Sequence, residues 1–389
     1  MKSTLSRLSH SLLSFLPLLL VFLLPLFFLP ITADIFLLNK FYLVTIIASL
    51  SLLSWCLYLL TQNKLSVTIS PSLLPLFLLI LVHLVSTFWL SPSRYQSLFG
   101  LTSLFSALFI IYLTVTSSQK TLQFPKNLLY TSILSVSLIN LFTLLHYFDL
   151  TKSIFSSDLL NNRFFNPAGG VIPALILNLP ILIGNITYTL RLKNWPQRSL
   201  FFLASILMIS GSVINISLLL PKDGVNVFAF LPYRASWSIT VDIFKYWGTA
   251  LFGTGPETYL SAFTRLRPAY LNLDANLWNL RFTESSSFLL TLITTTGILG
   301  GLAFIFTFLK PVFSIIQVGR QESDTPLVYF YLSTLIALVI TFFLLPVGLI
   351  SLSYGVLLLV GAAILIKHFG HPSSKEYSLS LAASSDQSI

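Results

Sequence analysis

The chain of 389 residues is too apolar for a soluble domain: 55% of its residues are hydrophobic, 9% are Asp, Glu, Lys or Arg, and the mean hydropathy is +0.87. Soluble domains carry about 25% charged residues, so the composition excludes an ordinary soluble enzyme and indicates an integral membrane protein. The net charge of +10 raises the alternative of a nucleic-acid partner, which the placement of the charges along the chain tests.

Ten apolar runs approach the roughly 20 residues that a helix needs to cross a bilayer. They lie at 11–31, 41–60, 73–90, 98–116, 128–148, 171–190, 200–220, 285–309, 327–345 and 347–366. In lipid the backbone must satisfy its own hydrogen bonds, and these runs do not alternate as barrel strands do, so they predict helices. The expected fold class is all-α, a polytopic integral membrane helix bundle with a large extracytoplasmic loop.

Four parts follow from these runs. Residues 1–220 form an N-terminal membrane bundle of seven helices, and 221–284 form the extracytoplasmic loop with amphipathic helices. Residues 285–366 form a C-terminal membrane bundle of three helices. The Ser-rich tail at 367–389 has the composition of a disordered cytoplasmic segment.

The basic residues predict the orientation. With the N-terminus inside, the cytoplasmic segments hold twelve Lys and Arg residues, and the short loops on the other side hold four. Because cytoplasmic loops carry an excess of Lys and Arg, we expect a multi-pass protein of the bacterial inner membrane with both termini in the cytoplasm. The net charge then has an explanation without nucleic acid, and we expect no such partner.

The loop at 221–284 is enriched in charge, since it holds 11 of the 34 ionisable Asp, Glu, Lys and Arg residues in 64 of 389 positions. Trp237, Val241 and Phe244 predict an amphipathic helix. The sequence FGTGP at 252–256 predicts a turn, with Pro256 opening a helix that runs to about Arg265. Five aromatic residues predict a lid on the bilayer surface rather than an independent domain: Trp237, Trp247, Tyr259, Tyr270 and Trp278.

Several motifs share their order and spacing with one family. They read NNRFFNPAGG from Asn161, RASW from Arg234, FGTGPETY from Phe252 and TTTGILGG from Thr294. In this order the chain resembles the bacterial O-antigen ligase and O-antigen polymerase superfamily. The resemblance implies a fold like the class C glycosyltransferases and transfer of a glycan from an undecaprenyl-pyrophosphate carrier to a glycan, lipid or protein acceptor, without a metal or other cofactor.

The resemblance assigns Arg163 and Arg234 to the pyrophosphate. Arginine stays protonated and binds phosphate oxygens bidentately, so both residues suit that role. The alternative is that both side chains extend toward lipid headgroups. For Arg265, Arg267 and Arg281, which no motif supports, headgroup contacts are the expectation.

One departure from the family pattern concerns the catalytic base. Counting back from Gly297, the family's histidine falls on Ser286 and its asparagine neighbour on Ser287, and serine is no general base near neutral pH. Glu284 is the substitute candidate, with a plain helix-terminal carboxylate as the alternative. A structural role is expected for His146, and close packing is expected for Gly297 and Gly301.

The sequence therefore favours a membrane glycosyltransferase of the ligase or polymerase type. Two alternatives stay open: a relative that binds lipid-linked glycan without transferring it, and a transporter or flippase of cell-envelope glycolipids. The scarcity of charge within the spans counts against transport, because transport pathways usually expose intramembrane charges.

Overall fold

The computed structural model describes residues 2–32, 34–62, 64–150, 161–162, 164–220, 229–274, 276–322 and 325–380. Within these ranges the chain is mainly helical, with very little sheet. The helices are α1 Lys2–Leu23, α2 Leu37–Gln62, α3 Leu73–Trp89, α4 Arg94–Ser97, α5 Ser103–Ser118, α6 Gln123–Tyr147, α7 Val171–Arg191, α8 Trp195–Leu219, α9 Tyr233–Ile243, α10 Trp247–Phe252, α11 Tyr259–Leu266, α12 Phe288–Gln321, α13 Pro326–Leu344 and α14 Leu349–His368. Strands β1 Lys64–Ile69 and β2 Lys375–Ser380 complete the described elements.

Nine helices of the described chain are long and apolar enough to cross a membrane. One of them is the continuous stretch Arg94–Ser118, in which a π-helical turn joins α4 to α5. The one remaining apolar run, at 73–90, is the 17-residue helix α3. At 1.5 Å per residue this helix is about 25 Å long, slightly less than the hydrocarbon thickness. The chain is thus a multi-pass membrane helix bundle.

The centre of the bundle is occupied by α14. Every residue of this helix from Ile350 to Ile366 is buried, and the surrounding helices include α5, α6, α12 and α13. A helix that is apolar on all sides is covered either by protein or by lipid, and here other helices cover it. No Asp, Glu, Lys or Arg occurs in this buried stretch, so the middle of the bundle is packed with apolar side chains.

Buried asparagines join three of the helices. Asn140 of α6 donates to Asn178 of α7 (3.0 Å), and Asn178 in turn donates to the Ser212 hydroxyl of α8 (2.6 Å). Asn185 makes a similar bond to Ser205 (2.9 Å). Hydrogen bonds of this kind hold helices together in lipid, where the hydrophobic effect does not drive one apolar helix against another.

The connecting segments lie at two opposite ends of the bundle. At one end Gln62 donates to Ser6 (2.9 Å), and β1 pairs with β2. At the other end the Phe288 amide donates to the Leu345 carbonyl (2.9 Å), and the Ser97 hydroxyl reaches the Pro256 carbonyl. The segments that the charge distribution assigns to one side of the membrane therefore meet at one end.

The tail requires a correction, because the prediction of disorder from residue 367 onward was wrong for Lys375–Ser380. This segment forms β2 and pairs antiparallel with β1, with Val67 opposite Tyr377. Glu376 accepts from Lys120 (2.7 Å) and lies 3.7 Å from Lys367. Although burial raises the pKa of the Glu376 carboxyl, these two cations together hold it below its usual value. The all-α prediction accordingly missed one small two-stranded sheet, and residues 381–389 lie outside the described part.

We expect the two ends of the bundle to face opposite sides of the membrane. After replacement of Cys56, the single native cysteine, by serine, Asn276→Cys and Lys375→Cys variants place a thiol at each end. In sealed vesicles of one orientation, an impermeant maleimide will label only one of these variants until the membrane is permeabilised. Equal labelling of both from the same side would contradict this arrangement.

Candidate functional site

The described part of the long loop forms a compact layer over one end of the bundle. Three helices, α9, α10 and α11, and a 3-10 turn at Ala269–Asn272 make up most of it. A small core holds these elements together, and its buried members are Leu231, Ala235, Ile239, Tyr259, Phe263 and Leu271. The layer also packs on α12 through α9, α10 and α11, so it is continuous with the membrane bundle. Residues 221–228 lie outside the described part.

The turn predicted at 252–256 is present and docks on α12. Gly253 and Gly255 adopt φ angles of +72° and +110°, which glycine tolerates because it has no Cβ. The amides of Thr254 and Gly255 then donate to the carbonyls of Thr294 (3.1 Å) and Thr295 (2.8 Å). The turn therefore joins the loop to the membrane helix through backbone hydrogen bonds.

These carbonyls are accessible because α12 is broken at Gly297. Gly297 has φ +71° and ψ −174°, which interrupts the helical hydrogen bonds. A Cβ at this position would lie 2.2 Å from the backbone of Leu251 in α10. Close packing at Gly297 is as expected, but its partner is the end of α10. A Cβ at Gly301 would instead meet Ile293 of the same helix, so the two glycines do not form one helix-crossing face.

The same turn docks on a second broken helix through Glu257. Pro256 does not open a helix as predicted, because Glu257 takes φ +60° and α11 begins only at Tyr259. The Glu257 Oε1 accepts the Leu101 amide (3.1 Å). That amide is exposed by a break at Gly100, where a Cβ would lie 2.2 Å from the Glu257 side chain. A carboxylate is favoured here, since it faces the amino end of a helix.

Glu284 is the second carboxylate of the site. It lies in the extended segment before α12 and keeps an exposed surface. Desolvation by the surrounding protein raises the pKa of Glu284, and the negative charge of Glu257 raises it further. Burial also raises the pKa of Glu257, although its bond from Leu101 works in the opposite direction. A carboxylate whose ionisation is disfavoured by burial and by a second negative charge is a candidate for proton transfer.

Ser286, the position of the family's histidine, lies in a group of buried hydroxyls. Its amide donates to the Ser236 hydroxyl of α9 (3.0 Å). Within the described residues, the hydroxyls of Ser285, Ser286 and Tyr259 have no hydrogen-bond partner. Burial raises the pKa of Tyr259 to about 12, so this group is neutral near pH 7. None of these hydroxyls replaces an imidazole as a base.

Arg234 lies apart from this group. At 100° per residue it is opposite Ser236 on α9 and shares the exposed face of Trp237 and Val241. Its guanidinium lies 5.1 Å from the centre of the Tyr270 ring, which fixes it by a cation–π contact. Among the described residues, no hydrogen bond or ion pair links Arg234 to Glu284 or to Ser286.

Arg163 lies outside the described residues, but the turn on either side of it is well anchored. His146 bonds to the Asn162 carbonyl (2.8 Å) and is buried between aromatic rings. Lys40 donates to the Pro167 carbonyl (2.5 Å). The structural role expected for His146 agrees with these contacts, because the imidazole holds this turn and is buried.

Arg267 does not have the headgroup role expected for it. Its guanidinium donates to the carbonyls of Leu277 (2.9 Å) and Trp278 (2.7 Å) and so holds the last part of the loop. Arg265 and Arg281 are exposed, as headgroup contacts require.

Glu257 is the residue that sequence reasoning missed. Its only sequence signal was its place directly after the G-x-G-P turn.

No group of three or more His, Cys, Asp or Glu side chains in the described part of the chain is arranged to hold a metal ion. In comparisons with known proteins, no family model matches the chain, and no curated protein matches it.

We expect Gly297→Ala to destabilise the protein by at least about 2 kcal/mol, because alanine is strained at positive φ and its Cβ would overlap the Leu251 backbone. The matched control is Gly248→Ala in α10, whose Cβ would meet nothing nearer than 4.0 Å. Thermal unfolding of both variants in detergent measures the difference. Equal unfolding midpoints would contradict the close contact between Gly297 and the end of α10.

Proposed function

We propose that the protein is a membrane glycosyltransferase of the O-antigen ligase or polymerase type. The donor is a glycan linked to undecaprenyl pyrophosphate, and the acceptor is a hydroxyl of a glycan, lipid or protein. The site faces the outside of the bacterial inner membrane, with both termini in the cytoplasm. The reaction needs no metal, as the resemblance to that superfamily implies, and the fold is of the class C glycosyltransferase type.

The observation that carries this proposal is the exposed carboxylate of Glu284, which lies four residues before α12 at the junction of loop and bundle. An acceptor hydroxyl becomes a nucleophile when a base removes its proton, and a carboxylate with a raised pKa is suited to that task. The acceptor oxygen bonds to the anomeric carbon, and its proton passes to Glu284. The bond from that carbon to the pyrophosphate breaks, and undecaprenyl pyrophosphate leaves with the electron pair.

Arg234 fits the leaving group. It is exposed on the same face as Trp237 and Val241, where apolar side chains favour the level of the headgroups. A guanidinium there binds phosphate oxygens bidentately and stabilises charge that develops on the departing pyrophosphate. Arg163 is assigned the same ligand by the resemblance alone.

A non-catalytic glycan-binding protein is the second candidate, and Ser286 is the observation that favours it. The family's imidazole position is held by a buried serine, so binding without transfer is a coherent outcome. A transporter or flippase has less support, because α14 fills the centre of the bundle with apolar side chains and a transport route needs polar groups there.

Purified protein in nanodiscs, given an undecaprenyl-pyrophosphate oligosaccharide and acceptor glycans, tests the proposal. We expect Glu284→Gln to lower turnover by about 10²- to 10⁴-fold while donor binding persists, as expected for loss of a general base. Arg234→Gln is expected to weaken donor binding by about 10- to 100-fold through lost charge-assisted hydrogen bonds.

Two controls remove a like charge elsewhere on the loop. Asp242→Asn breaks an exposed ion pair with Lys245, and Arg265→Gln removes an exposed arginine, and both are expected to behave as wild type. Binding that depends on Arg234 without turnover in the wild type would favour the non-catalytic candidate. Full turnover in Glu284→Gln would exclude Glu284 as the base, and absent donor binding would exclude both candidates.

The pH dependence of transfer provides an independent test. Because the base acts when deprotonated, kcat/KM rises with pH through the pKa of Glu284, which burial and the Glu257 charge place above the ordinary value. Glu257→Gln removes the repulsive charge, so the rising limb is expected to move to lower pH, though only in part, since burial is the larger cause. A limb that is unchanged in both Glu257→Gln and Glu284→Gln would show that neither carboxylate governs it.

A further inference from the structure

The position of α10 along the membrane normal can be measured against three helices. The first is α3, whose last residue, Trp89, contacts Trp247 and Phe252, with ring centres 6.2 and 6.0 Å apart. Since α3 has 17 residues, it rises only about 25 Å from the opposite end of the bundle, against a hydrocarbon thickness of about 30 Å. By this measure α10 lies below the membrane surface on the loop side.

The second measure comes from α12. Its first residue, Phe288, bonds to Leu345 at the end of α13, and α13 is 19 residues long, which is close to one bilayer thickness. Gly297, which meets Leu251 and Phe252, follows Phe288 by nine residues, or about 13 Å along the axis. The end of α10 is therefore well below the level at which α12 begins and α13 ends.

The third measure comes from the helix Arg94–Ser118. The Leu101 amide that Glu257 binds lies beyond the break at Gly100, inside this stretch and away from its first residue. All three helices therefore place α10 and the following turn below the end of the bundle on the loop side.

The backbone at this depth meets the condition for entering lipid. Irregular backbone is tolerated within a membrane only where protein covers it and satisfies its hydrogen bonds. Residues Gly253 to Pro256 are all buried, and the amides of Thr254 and Gly255 donate to α12. In α10 itself the outward side chains are apolar: Trp247 is 70% exposed and Leu251 37%. They continue the exposed apolar surface of α3, which ends in Phe88 and Trp89.

We infer that α10 and the turn at Gly253–Pro256 form a re-entrant membrane segment, with Trp247 and Leu251 in contact with the acyl chains of the leaflet on the loop side. The partner of this surface is lipid. The placement holds whether or not the protein transfers glycans, because it rests on helix lengths and contacts alone.

Fluorescence quenching in nanodiscs tests the inference. A variant that keeps Trp247 and has phenylalanine at the other five tryptophans is compared with one that keeps only Trp278, an exposed residue of the outer loop. Lipids brominated on the acyl chain are expected to quench Trp247 more strongly than Trp278, and aqueous acrylamide is expected to do the reverse. Stronger acrylamide quenching of Trp247 than of Trp278 would overturn the inference.

A second measurement needs fewer substitutions. In the Cys56→Ser background, Leu251→Cys is expected to react with a water-soluble maleimide at least about tenfold more slowly than Asn276→Cys, because a thiol must ionise in water to react. Unfolding of both variants in detergent is expected to equalise the two rates. Equal rates in the folded protein would place α10 in water and reject the re-entrant segment.

Discussion

The constraint on which this structure depends is that a backbone inside a membrane must find its hydrogen-bond partners within the protein. In the described part of the chain, the helical hydrogen-bond pattern is interrupted within two membrane helices, at Gly100 and at Gly297. One turn of the loop meets both breaks: its amides bind carbonyls freed near Gly297, and the Glu257 carboxylate binds the amide freed near Gly100. The turn therefore supplies donors to one helix and an acceptor to the other.

The candidate site is a consequence of this arrangement. Glu257 is held by its backbone contact, and its charge acts on Glu284 across the junction of loop and bundle. The pKa of Glu284 is raised because the protein removes water from its carboxyl group, and the Glu257 charge raises it further. Glu257 thus has two roles: its carboxylate accepts an amide freed by the break at Gly100, and its charge raises the proton affinity of Glu284.

Hydropathy was enough to predict the spans, because the requirement for about 20 apolar residues is local in the sequence. Other features depend on distant partners. The strand at Lys375–Ser380 exists because β1 offers it an edge and Lys120 and Lys367 neutralise Glu376. The role of Glu257 depends on a break at Gly100, and the positive φ of Gly297 depends on Leu251. Arg234 and Ser286 were both assigned by motif, yet only three-dimensional placement shows that they lie on different sides of α9.

The buried position of α14 has a consequence for how the protein is made. Ribosomes release the helices in chain order, so α14 emerges after the thirteen others that surround or precede it. Until then α5, α6, α12 and α13 lack the helix against which they pack, and their inner faces are covered by lipid or by one another. Assembly must therefore include a late step in which α14 enters among these helices and displaces whatever covers their inner faces. Strand β2, which follows α14 in the chain, pairs with β1 after that step.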